Sequence, residues 1–236
     1  MNKIFIILIV LILLIGAVLY GNVLRQKENN KQYTLGIVVR GKSYEPGVIG
    51  FKEKMRELGF QEGKNIKYII RFVDKREDLP AVIKEFLENN VDLIHSYSTP
   101  ATIEAHKQTK TIPIVFGSMG DPLASGVVKS LSSSGTNVTG ISSLSVDLTA
   151  KRLEFLIELF TSIKKVAIPF TVTDIPGSKS VEVAKESALK LGVTIIPYPI
   201  TAERGVKETA AVITKKDVDG MIVSADSAVW ANLTSY

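Results

Sequence analysis

Residues 111–128, with the sequence TIPIVFGSMGDPLASGVV, predict a central strand and the loop that follows it. The apolar, β-branched run at 112–116 lies between turn-forming residues, a pattern typical of a strand buried on both faces. From Gly117 to Pro122 the sequence is polar and rich in glycine, which predicts a loop at the carboxyl end of that strand. In open α/β sheets ligands bind at this edge, because backbone donors and helix N-termini converge there.

Asp121 is the one charged residue of this loop. Its carboxylate is a candidate partner for a ligand cation such as an α-ammonium group. An Asp-Pro pair also shapes turns, and Asp121 directly precedes Pro122. The residues of the loop leave both interpretations open.

Strand and helix patterns alternate on either side of this stretch. Further strands are predicted at 34–39, 66–73, 91–96 and 138–142, and helices with one apolar face separate the first of them. A second unit of the same kind follows a predicted helix at 147–160, with strands at 165–169, 193–196 and 220–224 and helices at 181–191 and 203–215. Repeated β-α-β units predict parallel sheets covered by helices, with right-handed crossovers. We therefore expect an α/β fold with a first lobe at 33–145 and a second lobe at 146–236.

The N-terminal segment is apolar and uncharged from Ile4 to Tyr20. A membrane-spanning helix needs about 20 such residues. No convincing small-x-small cleavage site follows, so the pattern favours an uncleaved membrane anchor at 1–24 over a removed signal. A polar linker is predicted at 25–32, and the short tail at Lys3 favours export of the remainder to the outside of the membrane.

Composition excludes several classes of function. The chain has no cysteine, which excludes disulfides, thiol catalysis and a lipid-modified cysteine. The net charge of +5 comes from short basic pairs interspersed with acids, so no nucleic-acid partner is predicted. His95 and His106 are the only histidines and lack metal-ligand spacing, and hydrolase or nucleotide-binding motifs are missing. We expect no catalytic residue, metal or cofactor, and an enzyme on a related α/β fold is the disfavoured alternative.

Candidate binding residues follow from the rule that parallel strands end at one edge. In the first lobe, Ser98 and Thr99 begin a predicted helix whose first amides, on Ala101 and Thr102, suit an anionic carboxylate, although both Ser98 and Thr99 also suit simple capping. Ser118 adds a hydroxyl on the neighbouring strand end. Tyr44, in the first loop, is a candidate cover for an aromatic or aliphatic ligand side chain, although an exposed loop tyrosine more often has no role in binding.

In the second lobe the predicted cleft residues lie in two places. Thr173 and Ser178 flank a predicted turn at Pro176-Gly177, and Asp226 ends a strand. Asp226 is, with Asp121, one of the two candidate partners for an ammonium group. Closure of the two lobes would remove these charges from water and strengthen the pairing.

The segment FKEKMRELGFQEGKN at 51–65 carries a family resemblance. It resembles the corresponding segment of ABC-transporter substrate-binding proteins of the tryptophan/tyrosine-binding type. Further signatures of that family follow in the same order: TIPIVF at 111–116, GDP at 120–122, Gly126, NVTG at 137–140 and AKRLE at 150–154. The resemblance covers about residues 34–226 and implies a two-lobed periplasmic-binding-protein-like fold, with a ligand between the lobes, an aromatic amino acid for some members, and an ABC permease as partner.

The chain departs from the family pattern in three respects. Ser134, Gly135 and Thr136 replace the usual Pro-Gly-Gly, and the apolar N-terminal segment replaces a lipidated cysteine. Family members also continue beyond the position of Asp226 with a helix and further strands, so the resemblance implies either that this sequence is a fragment or that its second lobe is incomplete.

These observations predict a membrane-anchored, extracytoplasmic solute-binding protein that passes a small zwitterionic ligand to an ABC importer. A ligand sensor domain on the same anchor is the alternative, although no cytoplasmic output domain precedes the anchor.

Overall fold

The computed structural model describes Gly16 and residues 32–232. The predicted anchor at 1–24, apart from Gly16, and the linker up to residue 31 lie outside the described residues. Within the described part of the chain, no helix combines the length and the apolar character that a membrane crossing requires.

The first lobe contains a five-stranded parallel sheet. Its strands lie in the order β2 (Ile66–Val73), β1 (Tyr33–Arg40), β3 (Leu93–Tyr97), β4 (Ile114–Met119) and β5 (Val138–Ser142). In β1, five consecutive residues are buried, as expected for a parallel strand covered on both faces. Three helices flank this sheet, namely α1 (Glu45–Glu57), α2 (Leu79–Glu88) and α3 (Thr99–Gln108).

Apolar cores lie on both faces of this sheet. On one face, Phe86 of α2 is buried in a core to which α3 also contributes. Its ring packs closely on β1, since a Cβ added at Gly36 would lie 2.6 Å from it. On the other face Ile37 and Val48 join β1 to α1. The helices thus cover the sheet and leave the carboxyl ends of its strands open.

The second lobe contains a three-stranded parallel sheet. Its strands lie in the order β7 (Thr194–Ile200), β6 (Lys165–Thr171) and β8 (Gly220–Met221). Leu153, Ile168 and Ala184 belong to its core, and Gly192 ends the longest helix in a left-handed conformation with φ of 67°. The helices of this lobe are α4 (Leu148–Leu159), α5 (Ile175–Leu191), α6 (Val206–Ala211) and α7 (Ser227–Asn232). Both sheets confirm the predicted α/β fold class of two lobes with parallel strands.

Two predicted loops are partly wrong. Gly117 and Ser118 lie inside β4, because Ser118 pairs with Tyr97 of β3. Gly117 is needed there, since an added Cβ would lie 2.5 Å from the Tyr97 ring. Gly177, with Pro176, belongs to the first turn of α5 and not to a loop, because Asp174 caps that helix.

Two predicted elements of the second lobe are shorter than expected. Strand β8 pairs with β6 through two residues only. Beyond them Pro169 of β6 has no N–H to donate, and its carbonyl accepts a hydrogen bond from the Ser224 hydroxyl at 2.7 Å. Helix α6 buries only Thr209, so little packing supports further turns.

Candidate functional site

An inner cavity of about 240 Å³ lies where the carboxyl ends of strands from the two lobes face each other. Both lobes contribute to its wall. The first lobe supplies Ser43, Tyr44, Thr99, Ser118, Met119, Gly120, Ser143 and Ser145, and the second supplies Ala225, Ser227 and Trp230. None of these side chains is charged, and most carry a hydroxyl group. The wall therefore offers neutral hydrogen-bonding groups and two aromatic rings.

Tyr44 enters the inner cavity from a short 3-10 turn, Lys42–Tyr44, directly after β1. Its ring lies 6.1 Å from the ring of Tyr97, tilted by 38°. Burial raises the pKa of the Tyr44 hydroxyl, and the nearby Ser118 side chain lowers it in part. The hydroxyl therefore stays protonated and is able to donate a hydrogen bond into the cavity.

Ser98 and Thr99 have different roles in the structure. The Ser98 side chain is buried and accepts a hydrogen bond from the Ala101 amide at 3.4 Å, and its carbonyl accepts from the Thr102 amide at 3.1 Å. The two amides that the sequence assigned to a ligand carboxylate are therefore already used by Ser98. Thr99 lines the cavity, and its Oγ1 accepts a hydrogen bond from the Gly120 amide at 3.4 Å.

Ser98 also has a rare backbone conformation, with φ of 117° and ψ of 149°. This region is essentially restricted to glycine, and a side chain there costs of order 1–3 kcal/mol. The strain lies at the joint between β3 and α3, next to the cavity wall.

The two carboxylates predicted to bind an ammonium group do not line the inner cavity. Asp121 accepts a hydrogen bond from the Ala124 amide at 2.9 Å and so caps its own turn. Asp226 is 1% exposed and accepts from the amides of Ala228 at 2.7 Å, Val229 at 3.3 Å and Thr171. Both residues thus have structural partners in their own neighbourhoods.

An outer cavity of about 470 Å³ lies beside the inner one, again between the lobes. It contains most of the charged residues of the cleft. Its wall is formed by Arg40, Arg76, Glu77 and Pro100 from the first lobe and by Thr171, Val172, Thr173, Asp174, Ile200, Thr201, Ala202, Glu203, Asp226 and Ala228 from the second. Thr173 and Asp226 thus meet at this cavity. Ser178 lines neither cavity and donates to the Val172 carbonyl at 3.4 Å.

Two arginines of the first lobe reach across the cleft. Arg40 Nη1 donates to Ser227 Oγ at 2.9 Å, and Arg76 Nη1 donates to the Thr173 carbonyl at 3.0 Å. Within the described residues neither arginine forms an ion pair. Arg40 Nε is buried without a hydrogen-bond partner.

Asp174 faces these arginines from the N-terminus of α5. The residue is 5% exposed, and its Oδ1 accepts a hydrogen bond from the Gly177 amide at 2.9 Å. Burial and then the nearby Asp226 carboxylate raise the pKa of Asp174 to about 7, although Arg40 and Arg76 act in the opposite direction. The two carboxyl groups both pack on Gly177, where an added Cβ would lie 3.1 Å from Asp226 Oδ2.

The sequence patterns did not identify several residues that line the cleft. Arg40 and Ser143 follow the same strand-end rule that led to Ser118, and Asp174 precedes Ile-Pro-Gly in a helix-capping pattern. Trp230 is the single tryptophan of the chain and lies on α7, but its spacing carries no signal of its own.

His95 packs between aromatic rings in the first lobe. The residue is 4% exposed, and its ring lies 4.3 Å from that of Phe51 and 4.6 Å from that of Tyr97. Burial lowers the pKa of His95, so the ring stays neutral. Among residues 32–232 no group of three or more histidine or acidic side chains is arranged to hold a metal ion.

Comparisons with known proteins agree with this architecture. A sequence model described as "ABC transporter substrate binding protein" matches residues 34–235. A tyrosine-binding protein of Clostridioides difficile (strain R20291) is 28% identical over 215 residues, which are 89% of this chain and 61% of the relative. The chain thus spans less than two thirds of the length of that relative.

Solved structures show the same fold. The ABC domain from Streptococcus pneumonia in complex with L-Trp is 21% identical, with a TM-score of 0.76 over 87% of this chain and 72% of that chain. The ligand-free, open structure of a substrate binding protein with adhesive properties from Clostridium difficile is 27% identical, with a TM-score of 0.57 over 84% of this chain and 67% of that chain.

Proposed function

This chain belongs to the ABC transporter substrate-binding proteins, a family of extracytoplasmic solute-binding proteins and not of enzymes, and we propose that it serves an ABC importer. In this proposal residues 1–24 hold it at the membrane, and a small zwitterionic ligand binds in the cleft between the lobes. The bound ligand is then passed to the permease of the importer.

The observation that carries this proposal is the composition of the inner cavity wall. Hydroxyl groups from both lobes surround it, and no charged side chain lines it. A ligand with a net charge would lose its hydration there without gaining an opposite charge, which is costly. A zwitterion has no net charge. Its carboxylate can accept hydrogen bonds from hydroxyls at the wall or polar groups at its edge, and its ammonium group can donate to them.

The aromatic rings at the wall favour an aromatic amino acid. Tyr44 enters from the first lobe and Trp230 from the second, so a flat side chain between them contacts a ring from each lobe. The names of two relatives, a tyrosine-binding protein and a structure in complex with L-Trp, support the same class of ligand. We therefore propose tyrosine or tryptophan as the first ligands to test.

Isothermal titration calorimetry of residues 32–236 with L-tyrosine, L-tryptophan, L-phenylalanine and L-leucine tests the binding. Thermal unfolding provides a second readout, because a ligand at a hundredfold over its Kd adds about 2.7 kcal/mol of stability. Tyr44→Ala should weaken binding, whereas Asp121→Asn, which changes a carboxylate outside both cavities, should not. Absence of binding by every amino acid would overturn the proposed ligand class.

The importer role needs a separate test in cells. Deletion of the chromosomal copy should lower uptake of the radiolabelled ligand, and the full chain should restore it. Unchanged uptake after deletion would contradict a role in import even if the ligand binds.

A further inference from the structure

Arg40 lies at the boundary between the two cavities. Its side chain lines the outer cavity, while its Nη1 donates to Ser227, which lines the inner cavity. Its Nε is buried and has no acceptor, and no carboxylate forms an ion pair with it in the described part of the chain. The residue as a whole is half-buried, so the rest of its guanidinium is reachable from the outer cavity. A buried donor without an acceptor is costly, and the group that best matches a guanidinium is a carboxylate.

Asp174 offers the opposite charge on the other side of the cleft. Its Oδ1 accepts from the Gly177 amide, but its Oδ2 has no hydrogen-bond partner among the described residues. Asp226, the other buried carboxylate of the outer cavity, has both oxygens occupied by backbone amides. Of these two carboxylates, Asp174 alone has an oxygen available to a ligand.

The two cavities meet around Tyr44 and α7. The Tyr44 hydroxyl is close enough to Asp174, Arg40 and Asp226 for their charges to shift its pKa. Along the chain, Ala225 and Ser227 line the inner cavity whereas Asp226 and Ala228 line the outer one. A ligand with its side chain in the inner cavity therefore has Arg40 and Asp174 at the edge of its site.

We propose that Arg40 and Asp174 recognise the charged end of the ligand. The Arg40 guanidinium binds the α-carboxylate, and the Asp174 carboxylate accepts hydrogen bonds from the α-ammonium group. In this assignment Asp174 is the ammonium partner instead of Asp121 or Asp226. The carboxylates of Asp121 and Asp226 accept hydrogen bonds from backbone amides nearby. The assignment rests on the proposed function and names the residues that give the site its preference for an α-amino acid.

Three compounds of similar size separate the two contacts. L-Tyrosine carries both charged groups, 3-(4-hydroxyphenyl)propionate lacks the ammonium and tyramine lacks the carboxylate. Calorimetry measures the Kd of each compound for the unmodified chain and for Arg40→Gln, Asp174→Asn and two controls. The controls are Arg56→Gln, an exposed arginine of α1, and Asp121→Asn.

The unmodified chain should bind L-tyrosine more tightly than either analogue. Asp174→Asn should weaken L-tyrosine and tyramine by about tenfold to a hundredfold, the range for a hydrogen bond to a charged group, and should leave the propionate unchanged. Arg40→Gln should weaken L-tyrosine and the propionate and leave tyramine unchanged. The controls should leave every affinity unchanged.

The selectivity between compounds distinguishes recognition from a structural role. A variant that weakens all three compounds equally, or none of them, overturns the assignment of that residue. If Arg40→Gln does not fold, Arg40→Lys keeps the charge, and a loss restricted to the two carboxylate compounds carries the same meaning. If the unmodified chain binds L-tyrosine no more tightly than the two analogues, the assignment of Arg40 and Asp174 fails, but the proposed binding of an aromatic amino acid does not. If it binds no aromatic amino acid at all, the proposed function fails and the inference fails with it.

Discussion

Gly120, just beyond β4 in the first lobe, packs directly against Pro176 at the start of α5 in the second. A Cβ on Gly120 would lie 2.9 Å from Pro176 Cβ and 3.5 Å from the Ala225 carbonyl. Real Cβ atoms do not approach so closely, so a side chain here forces the lobes apart. The observed distance between the lobes therefore depends on the absence of a side chain at Gly120.

Gly120→Ala should weaken ligand binding without unfolding either lobe. Its backbone is not in the left-handed region, so alanine is strained only by the contact across the cleft. Overpacking of this kind costs about 1–3 kcal/mol, which corresponds to a loss of affinity of about fivefold to 150-fold. Calorimetry with the ligand and small-angle X-ray scattering for the lobe separation measure the two effects. Gly50→Ala is the control, because a Cβ there meets nothing within 4 Å. Unchanged affinity in Gly120→Ala would show that binding does not need this contact.

Asp226→Ala should destabilise the protein much more than Asp121→Ala. Asp226 is buried and accepts hydrogen bonds from three amides, so its loss leaves donors unpaired in the cleft. Each such loss costs about 1–3 kcal/mol. The side chain of Asp121 accepts one amide hydrogen bond at the surface, for which about 0.5–2 kcal/mol is expected from helix caps. Urea unfolding of both variants measures the difference, and similar values for the two would contradict it.

Asp174 should make the ligand-free protein less stable as the pH rises. Its pKa is about 7 in the folded chain against an ordinary value of 3.8, so between these values the folded state binds more protons than the unfolded state. Stability therefore falls as the pH rises from about 4 to about 7, and Asp174→Asn should remove this part of the dependence. The charged groups around it are Asp226, Arg40 and Arg76.

Asp219 provides a control of opposite sign for this prediction. Its pKa is lowered because its carboxylate accepts hydrogen bonds from the amides of Lys164 and Lys165, so it contributes stability that is lost as the pH falls. Asp219→Asn should lower stability at pH 7, and this loss should shrink as the pH falls. Urea unfolding at a series of pH values measures both variants. A pH profile of Asp174→Asn that matches the unmodified chain would refute the role of Asp174.

The sequence predicted the strands well because buried parallel strands are continuous apolar runs. Residues 66–73 and 138–142 match β2 and β5 at both ends. It predicted the cleft less well, because an aspartate at a strand end looks the same whether it caps a helix or faces a ligand. Asp226 and Ser227 are neighbours in sequence, yet they line different cavities. Only the direction of each side chain separates the two roles, and that direction depends on packing between the lobes.

Ser98→Gly, at the edge of the inner cavity, should raise the stability of the protein and lower its affinity for the ligand. The φ of 117° at Ser98 favours glycine, while its side chain caps α3 through the Ala101 amide. Ser98→Ala loses the cap and keeps the strain, so a loss of about 1 kcal/mol is expected. Ser98→Gly also loses the side-chain cap, but serine at an N-cap is only a few tenths of a kcal/mol better than glycine. The same substitution removes backbone strain of order 1–3 kcal/mol, so Ser98→Gly should be more stable than the unmodified chain. Greater backbone freedom beside Thr99 should at the same time weaken the ligand, because the wall is less well held. Urea unfolding and calorimetry on both variants measure the two quantities. Equal destabilisation by alanine and glycine would mean that the rare conformation stores no strain.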